Sequence, residues 1–344
     1  MNTKATKTKR THPTYDEFKK KKPVWTTKIR RGIEYSVFCF GLFLAKKLTI
    51  KKLQNLGHIL GKIAYLLLYK DRGIVKKQLK LIFPDKDENT RISWAKECFS
   101  HFGQMFFEFL CLPQILREES RLLQIENEKV IKKAVDENKG IILLAMHSGN
   151  WELISAYAKR SGIKMMATTT NFPDPRINML IQKQREHDNL EILRRGTGES
   201  AKKILQCLKN KEVLILAIDQ DTNVLSTWVP FFGIPAKTPV SAAKFALKTG
   251  ANVIGYDVIR KDNGTFKIRF ESLGIFFRKH QTLEQDIFST LKIMNQFIEK
   301  KICEHPTQWA WFHRRWRHKP SKKELEKMMK LEKIYMQNFL RKKQ

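Results

Sequence analysis

The stretch from Gly140 to Leu153, GIILLAMHSGNWEL, decides the fold that the rest of the sequence predicts. Its apolar run, Ile141 to Met146, is typical of a strand that is buried on both faces of a parallel sheet. His147 ends this run, and three turn or helix-capping residues follow before helical spacing begins at Trp151. The pattern predicts a strand, a loop and a helix. The loop lies at the carboxyl end of the strand, where open α/β sheets bind their ligands.

This loop contains a candidate catalytic pair. Glu152 follows His147 by five residues, in the predicted first turn of the helix, so that a base and an orienting carboxylate lie close together. The same spacing separates His12 from Glu17, in a lysine-rich segment that no strand precedes. Spacing alone is therefore weak, and the alternative for His147 is a structural histidine that caps a helix.

Length and composition favour one large α/β domain with appendages. The chain has 344 residues, 42% of them hydrophobic, and its 66 Lys and Arg exceed its 34 Asp and Glu to give a formal charge of +32. A charge of this sign attracts polyanions, either nucleic acid or a phosphate-rich membrane surface. The five cysteines are scattered, which indicates reduced thiols in a cytosol-facing protein. No paired Cys/His set and no HExxH motif occurs, so we predict no metal site.

We predict four regions along the chain. Residues 1–31 form a basic flexible arm. Residues 32–70 contain two apolar runs, each shorter than the roughly 20 residues that cross a bilayer as a helix, with basic residues between them. We expect a pair of membrane-associated helices there, with core helices packed on the domain as the alternative. Residues 71–319 form the α/β domain, and residues 320–344 form a basic C-terminal helix or tail.

A long helix before the first buried strand is rich in phenylalanine. Its apolar residues recur at helical spacing from Ile92 to Leu110, which favours a core-facing stripe. The alternative role for this stripe is to line a slot for an acyl chain.

A second buried strand mirrors the first. Val213 to Ile218 is apolar and ends in Asp219-Gln220-Asp221. Because two parallel strands of one sheet bring their carboxyl ends to the same edge, we expect Asp219 and Asp221 to lie near His147. The alternative for Asp219 is a loop acid whose oxygens accept from backbone amides.

Two later segments are unusually aromatic. The segment from Trp228 to Pro239, WVPFFGIPAKTP, predicts an apolar loop that forms the wall of a pocket or enters lipid. Phe231, Phe232 and Gly233 in this loop are candidate substrate-binding residues. The second segment, from Trp309 to Arg317, alternates tryptophan with arginine, which suits a membrane interface and also stacking on single-stranded nucleic acid.

Five motifs, in sequence order, resemble those of the bacterial lipid A biosynthesis acyltransferases of the late or secondary type, within the lysophospholipid acyltransferase superfamily. They are GIILLAMHSGNWEL, QREHDNLEILRRGTG, VLILAIDQD, WVPFFGIPAKTPVSAAKFALKTGANV and HPTQWAWFHRRWRHKP. The resemblance implies acyl transfer from an acyl carrier protein thioester to a hydroxyl of a glycolipid, at the cytoplasmic face of the inner membrane. The expected partners are therefore acyl carrier protein, a membrane glycolipid and an anionic membrane surface. No cofactor is expected.

The resemblance also implies catalytic residues. The family's H-x4-D/E pair maps onto His147 and Glu152, its second-block arginine onto Arg185, and the acid of its D-Q block onto Asp219. As a hypothesis, His147 is the general base and Glu152 fixes its tautomer. Asp219 orders Arg185 or contacts the acceptor sugar.

The loop after His147 supplies further candidates for substrate binding, Ser148, Gly149 and Asn150, and Asp221 joins them from the second strand. Backbone N–H groups near Gly149 and Asn150, together with Arg185, are the predicted donors to the oxyanion. Ser148 departs from the apolar residue that relatives often carry at this place.

Three alternatives remain open. An acyltransferase for another glycolipid or for a phospholipid, with acyl carrier protein or acyl-CoA as donor, fits the same residues. A basic nucleic-acid-binding protein accounts for the charge and the Trp/Arg segment, but leaves the two polar-terminated strands unexplained. A lipid esterase is disfavoured because the chain lacks a GxSxG motif and Ser148 directly follows His147.

Overall fold

The computed structural model describes residues 25–170, 172–185, 189–194 and 198–341. Six helices precede the first strand, and strands and helices alternate from residue 123 to residue 217, as a parallel sheet with crossover helices requires. Two 3₁₀ turns, Trp151–Leu153 and Pro306–Gln308, complete the regular structure. The elements in chain order are α1 (Trp25–Lys47), α2 (Ile50–Leu67), α3 (Tyr69–Ile82), α4 (Glu88–Leu110), α5 (Leu112–Arg117), α6 (Glu119–Leu122), β1 (Leu123–Glu126), α7 (Glu128–Asp136), β2 (Ile141–Ala145), α8 (Ile154–Ser161), β3 (Met165–Thr169), α9 (Pro175–Arg185), β4 (Leu190–Arg194), α10 (Gly198–Lys209), β5 (Val213–Ala217), β6 (Ser226–Phe231), β7 (Ile234–Pro239), α11 (Ser241–Thr249), β8 (Asn252–Arg260), β9 (Phe266–Ile275), α12 (Leu283–Glu304) and α13 (Lys322–Arg341).

Seven strands form the central sheet in the order β1-β9-β8-β2-β5-β3-β4. All neighbours are parallel except β8 and β9, which run antiparallel. Successive residues of β2 enter two different hydrophobic clusters, Ile142 and Leu144 on one face and Ile141 and Leu143 on the other. A strand with both faces covered needs the continuous apolar run that β2 has. The predicted α/β fold with a mostly parallel sheet is confirmed.

The register of β2 and β5 determines what lies at the edge of the sheet. Ala145 pairs with Ala217 at the carboxyl ends of these neighbouring strands. His147 lies two residues after Ala145, and Asp219 lies two residues after Ala217. The sheet therefore places these two residues side by side.

The N-terminal region contains the two expected helices, but the first begins earlier than predicted. Residues 25–31, assigned to the flexible arm, are helical because no proline or glycine interrupts the chain between Trp25 and Gly32. Residues 1–24 of that arm lie outside the described residues. Within the described ranges, no helix combines the length and the hydropathy needed to cross a membrane.

Helices α2 and α4 touch through their backbones. A Cβ atom at Gly57 would lie 2.4 Å from the carbonyl oxygen of Gly103, and one at Gly61 would lie 2.3 Å from that of Phe99. Real Cβ contacts do not come this close, so both positions of α2 require glycine. The contact joins α2 firmly to the phenylalanine-rich helix.

The prediction of a loop from Trp228 to Pro239 is wrong. These residues belong to the antiparallel hairpin of β6 and β7, which turns at Phe232 and Gly233 with φ angles of 52° and 72°. Prolines are compatible with a two-stranded ribbon because half of its N–H groups need no ladder partner. Val229 and Phe231 are fully buried in the core, so their side chains do not enter lipid.

The tryptophans of the Trp/Arg segment are also buried, contrary to their predicted role at a membrane interface or on nucleic acid, whereas Arg314 and Arg317 are exposed. Trp309, Trp311 and Arg315 are at most 1% exposed. Arg315 lies 4.9 Å from the ring centroid of Phe231 and donates to the carbonyl oxygen of Lys237 at 2.7 Å. Bases or headgroups cannot reach these tryptophans, which removes one of the two observations that favoured nucleic acid.

Candidate active site

His147 and Asp219 form the first of two ion pairs at the edge of the sheet. The ring Nδ1 of His147 lies 2.8 Å from Oδ1 of Asp219, and the backbone N–H of His147 donates to Oδ2 at 2.7 Å. Trp309 donates its indole N–H to the same Oδ2 at 2.9 Å. Since Asp219 only accepts, Nδ1 carries the proton and Nε2 remains as the basic atom of the imidazole.

The carboxylate of Asp219 stays ionised although it is fully buried. Burial raises its pKa, but the attraction of His147 and the hydrogen bonds from His147 and Trp309 outweigh burial and bring the pKa below its ordinary value. A permanent negative charge therefore stands behind the imidazole and stabilises it when it accepts a proton.

The second ion pair joins Glu152 to Arg185. The Nε of Arg185 donates to Oε2 of Glu152 at 2.8 Å, and its Nη2 makes a second, shorter contact with Oε1. Trp151 donates its indole N–H to Oε1 at 3.1 Å. Glu152 is mostly buried and Arg185 about four-fifths so. This bidentate geometry holds the guanidinium in one orientation.

The structure thus exchanges the predicted partners of the two acids. Glu152 does not fix the tautomer of His147, because its carboxylate is paired with Arg185. Asp219 does not order Arg185, because it is paired with His147. The strand register brings Asp219 to His147, whereas Glu152 lies in the 3₁₀ turn after the loop and extends toward the end of α9.

The loop after His147 has a structural role. The backbone N–H of Gly149 donates to the carbonyl oxygen of Gln308 at 2.8 Å, so it is not available to an oxyanion as predicted. A Cβ atom on Gly149 would lie 1.4 Å from the carbonyl oxygen of Val258, and its φ is +60°, so only glycine fits. Ser148 bridges to Trp309, and Asn150 is fully buried.

A buried polar network fixes this loop from behind. Glu108 of α4 accepts from Asn150 at 2.9 Å, from Gln54 at 2.8 Å, and from Arg260 at 2.6 and 2.7 Å. Burial, followed by the charge of Arg260, lowers the pKa of His101 well below its ordinary value. The neutral ring accepts from Arg260 and donates to the carbonyl oxygen of Gly149 at 3.2 Å. The sequence signal for this network is a glutamate seven residues after a histidine, on one buried face of an apolar helix.

A polar cavity of about 190 Å³ opens between the two ion pairs. His147, Glu152 and Arg185 line it, as do Gln220 and Tyr256, which we did not predict. Gln220 contacts a second histidine, His313, with 2.7 Å between their Nε2 atoms. The His313 ring centroid lies 5.7 Å from that of His147.

A larger, apolar cavity of about 460 Å³ adjoins the polar one. The alternative role of the phenylalanine-rich helix fits this cavity, because α4 lines it with Phe102, Phe106 and Phe109. Other residues of the same helix, such as Phe99, are in the core. The two cavities share three lining residues, Trp151, Glu152 and Arg185. A molecule that occupies both must pass the second ion pair.

None of the seven predicted substrate-binding residues lines either cavity; they are Ser148, Gly149, Asn150, Asp221, Phe231, Phe232 and Gly233. Asp221 accepts from the backbone N–H of His318 at 3.0 Å and anchors the segment before α13. Phe231 belongs to the core, and Phe232 and Gly233 form the hairpin turn. Within the ranges that the structure describes, no group of three or more His, Cys, Asp or Glu side chains is placed to hold a metal ion.

Comparison with known proteins assigns the family. A family model described as bacterial lipid A biosynthesis acyltransferase matches residues 20–318. A lipid A biosynthesis lauroyltransferase of Escherichia coli is 26% identical over 284 residues, 81% of this chain and 90% of the relative. A lipid A biosynthesis acyltransferase of Haemophilus influenzae is 25% identical over 282 residues, 79% of this chain and 86% of the relative. A phosphatidylinositol mannoside acyltransferase of Mycobacterium tuberculosis is 26% identical over 227 residues, 62% of this chain and 67% of the relative.

Proposed function

Because the chain belongs to the bacterial lipid A biosynthesis acyltransferase family, we propose that it moves a fatty acyl chain from an acyl carrier protein thioester to a hydroxyl of a glycolipid. Membership of the family makes the protein an acyltransferase, and a lipid A precursor is the acceptor we favour. The His147–Asp219 pair at the polar cavity is the observation that carries the proposed mechanism.

His147 acts as the general base in this mechanism. Its Nε2 takes the proton of the acceptor hydroxyl as the oxygen attacks the thioester carbonyl carbon, and a carbon–oxygen bond forms. The tetrahedral intermediate then breaks its carbon–sulfur bond, and the thiolate leaves with the proton that the imidazolium returns. Asp219 keeps Nδ1 protonated and balances the charge of the imidazolium. No covalent intermediate with the enzyme forms.

The apolar cavity suits the acyl chain. Its wall is almost wholly hydrocarbon from α1, α4 and α9, and the transfer of each buried CH₂ from water to such a site is worth about 0.8 kcal/mol. The shared residues Trp151, Glu152 and Arg185 then lie near the thioester, where hydrocarbon gives way to polar atoms. The Glu152–Arg185 pair accordingly positions the thioester group of the acyl donor.

We also propose that α1 and α2 rest on an anionic membrane at the cytoplasmic face of the inner membrane. Large apolar side chains are exposed along one stripe of α1, from Ile33 through Val37 to Phe40, and on α2 at Leu66 and Leu67. Val37 also lines the apolar cavity, so this cavity borders the exposed stripe. Basic residues flank these apolar side chains and suit phosphate headgroups; they are Lys28, Arg30, Lys46, Lys47, Lys51 and Lys52.

One assay tests the reaction. The membrane-reconstituted protein is incubated with acyl carrier protein thioesters of several chain lengths, or with acyl-CoA, and with lipid A precursors, mannosylated phosphatidylinositol or phospholipids. Mass spectrometry of the lipids then identifies donor and acceptor. We expect an ester of a lipid A precursor that depends on acyl carrier protein. Full activity in a normally folded His147→Ala variant would refute the mechanism, and an ester on another acceptor would replace the proposed substrate.

A further inference from the structure

The hydroxyl of Tyr256 is an unexplained polar group at the candidate active site. Tyr256 stands near the carboxyl end of β8, beside β2, and is only 2% exposed. It lines the polar cavity together with His147. Its hydroxyl makes no hydrogen bond within the part of the chain that the structure describes, and it is not one of the enclosed polar atoms without a partner, so it is open to the cavity. A hydroxyl without a protein partner that opens onto a cavity is able to donate its hydrogen bond to a ligand there.

The surroundings of Tyr256 keep its proton in place. Burial, then the nearby carboxylates of Glu152 and Asp219, raise the pKa of the phenol well above its ordinary value. Both carboxylates are already engaged, Glu152 by Arg185 and Asp219 by His147. Tyr256 is therefore a neutral O–H donor at the pH of the cell, and its hydrogen bond remains available to a ligand.

Acyl transfer requires a donor at this place. Of the three groups predicted to stabilise the oxyanion, the N–H of Gly149 donates to Gln308, and two N–H groups of Arg185 are engaged by Glu152. A side-chain donor that lines the cavity is therefore a further candidate beside the N–H of Asn150. A donor aimed at the developing oxyanion, in a site that excludes water, is among the largest contributions to catalysis of acyl transfer.

We propose that the hydroxyl of Tyr256 donates a hydrogen bond to the thioester carbonyl oxygen during the attack that His147 initiates. The π pair of the carbonyl moves onto this oxygen as the carbon–oxygen bond to the acceptor forms, and returns as the carbon–sulfur bond breaks. Tyr256 keeps its proton throughout, so it is a catalytic residue that changes no bond of its own. The inference rests on the proposed function.

The test removes only the hydroxyl. Tyr256→Phe preserves the ring and should lower kcat about 10²–10³-fold, as the loss of one oxyanion donor does. The KM values for donor and acceptor should stay unchanged, because the hydrogen bond strengthens only in the transition state. The melting temperature should stay unchanged, because the substitution removes no hydrogen bond within the described part of the protein.

Tyr157→Phe is the matched control. Tyr157 is fully buried on α8 and does not line the cavity, so kcat should be unchanged. Unchanged kcat in Tyr256→Phe would overturn the inference. A raised acceptor KM at unchanged kcat would also overturn it and place Tyr256 in acceptor binding. Absence of any ester with the wild-type protein would instead refute the proposed function.

Discussion

Asp219 accepts two hydrogen bonds from a single residue, His147, one from its backbone N–H at 2.7 Å and one from its ring Nδ1–H at 2.8 Å. The first contact fixes where the loop leaves β2, and the second fixes the orientation and tautomer of the imidazole. Position and protonation of the candidate base therefore depend on one carboxylate.

Double-mutant cycles distinguish the two ion pairs. We expect His147→Ala to lower kcat/KM about 10²–10⁴-fold. In the His147→Ala background, Asp219→Asn should lower kcat/KM little further, because Asp219 acts through the imidazole. The effects of Glu152→Gln and Arg185→Gln on kcat/KM should likewise be non-additive with each other, because these two residues form the second ion pair. Strong coupling between His147 and Glu152, measured in the same acyl-transfer assay, would restore the pairing that the sequence suggested.

The stability of the fold should depend on the ionisation of Asp219. Its pKa is lowered in the folded state and near 3.9 in the unfolded chain, so the stabilisation is complete above about pH 5 and is lost as the pH falls through the folded pKa. The advantage of the wild type in melting temperature over Asp219→Asn should therefore be constant from pH 6 to about pH 5 and then shrink progressively toward pH 3, measured in steps of about half a pH unit. A difference that stays constant over this range would contradict the lowered pKa.

Loss of Glu108 should be among the most damaging changes to stability. Glu108→Ala leaves the guanidinium of Arg260 buried without its partner, and breaking a buried pair in this way costs about 3–5 kcal/mol. Urea denaturation measures this loss. Glu118→Ala is the control, because Glu118 pairs with Arg121 on the surface, where the loss should be at most about 1 kcal/mol. Equal losses in the two variants would show that the network does not hold the fold.

The apolar cavity should set the length of the transferred chain. Phe106→Trp enlarges a side chain on its wall, so we expect the product distribution from a mixture of thioesters to move toward shorter acyl chains. Phe277→Trp is the control, since Phe277 is more than half exposed and does not line the cavity. Identical distributions for both variants would place the acyl chain elsewhere.

Membrane binding should depend on the exposed leucines of α2. The variant Leu66→Ser/Leu67→Ser should weaken co-sedimentation with vesicles that contain anionic phospholipid by roughly tenfold per leucine, and added salt should weaken binding of the wild type. Leu225 and Met329 are similarly exposed but lie on other elements, so Leu225→Ser/Met329→Ser is the control. An equal loss of vesicle binding in both variants would show that α2 has no specific role in membrane binding.

The sequence predicted the strands and the sheet edge because these follow from local pattern. The apolar runs of β2 and β5 need two covered faces, and the polar residues that end them must meet at one edge. The pairing within that edge was not predictable. It depends on the alignment of Ala145 with Ala217, which is set by packing across the whole sheet. The spacing of His147 and Glu152 suggested a local partner, and the sheet supplied a distant one.

The wrong prediction for the tryptophans of the Trp/Arg segment has a physical cause. Tryptophan has an apolar ring and one N–H donor, so it suits both a membrane interface and a core that offers an acceptor. Trp309 is buried because Asp219 accepts its N–H, and Trp311 because the carbonyl oxygen of Pro306 does. Tyr256 was not predicted as a residue of the site, because a single tyrosine in an apolar strand has the ordinary pattern of a core residue.

The glycine contact between α2 and α4 has a mechanical consequence. No layer of side chains separates Gly57 from the backbone at Gly103, so nothing between the helices can rotate or compress. The outer face of α2 and the phenylalanines of α4 consequently belong to one stiff body. If α2 lies on a membrane, the distance between the membrane surface and the apolar cavity is therefore fixed by this helix contact.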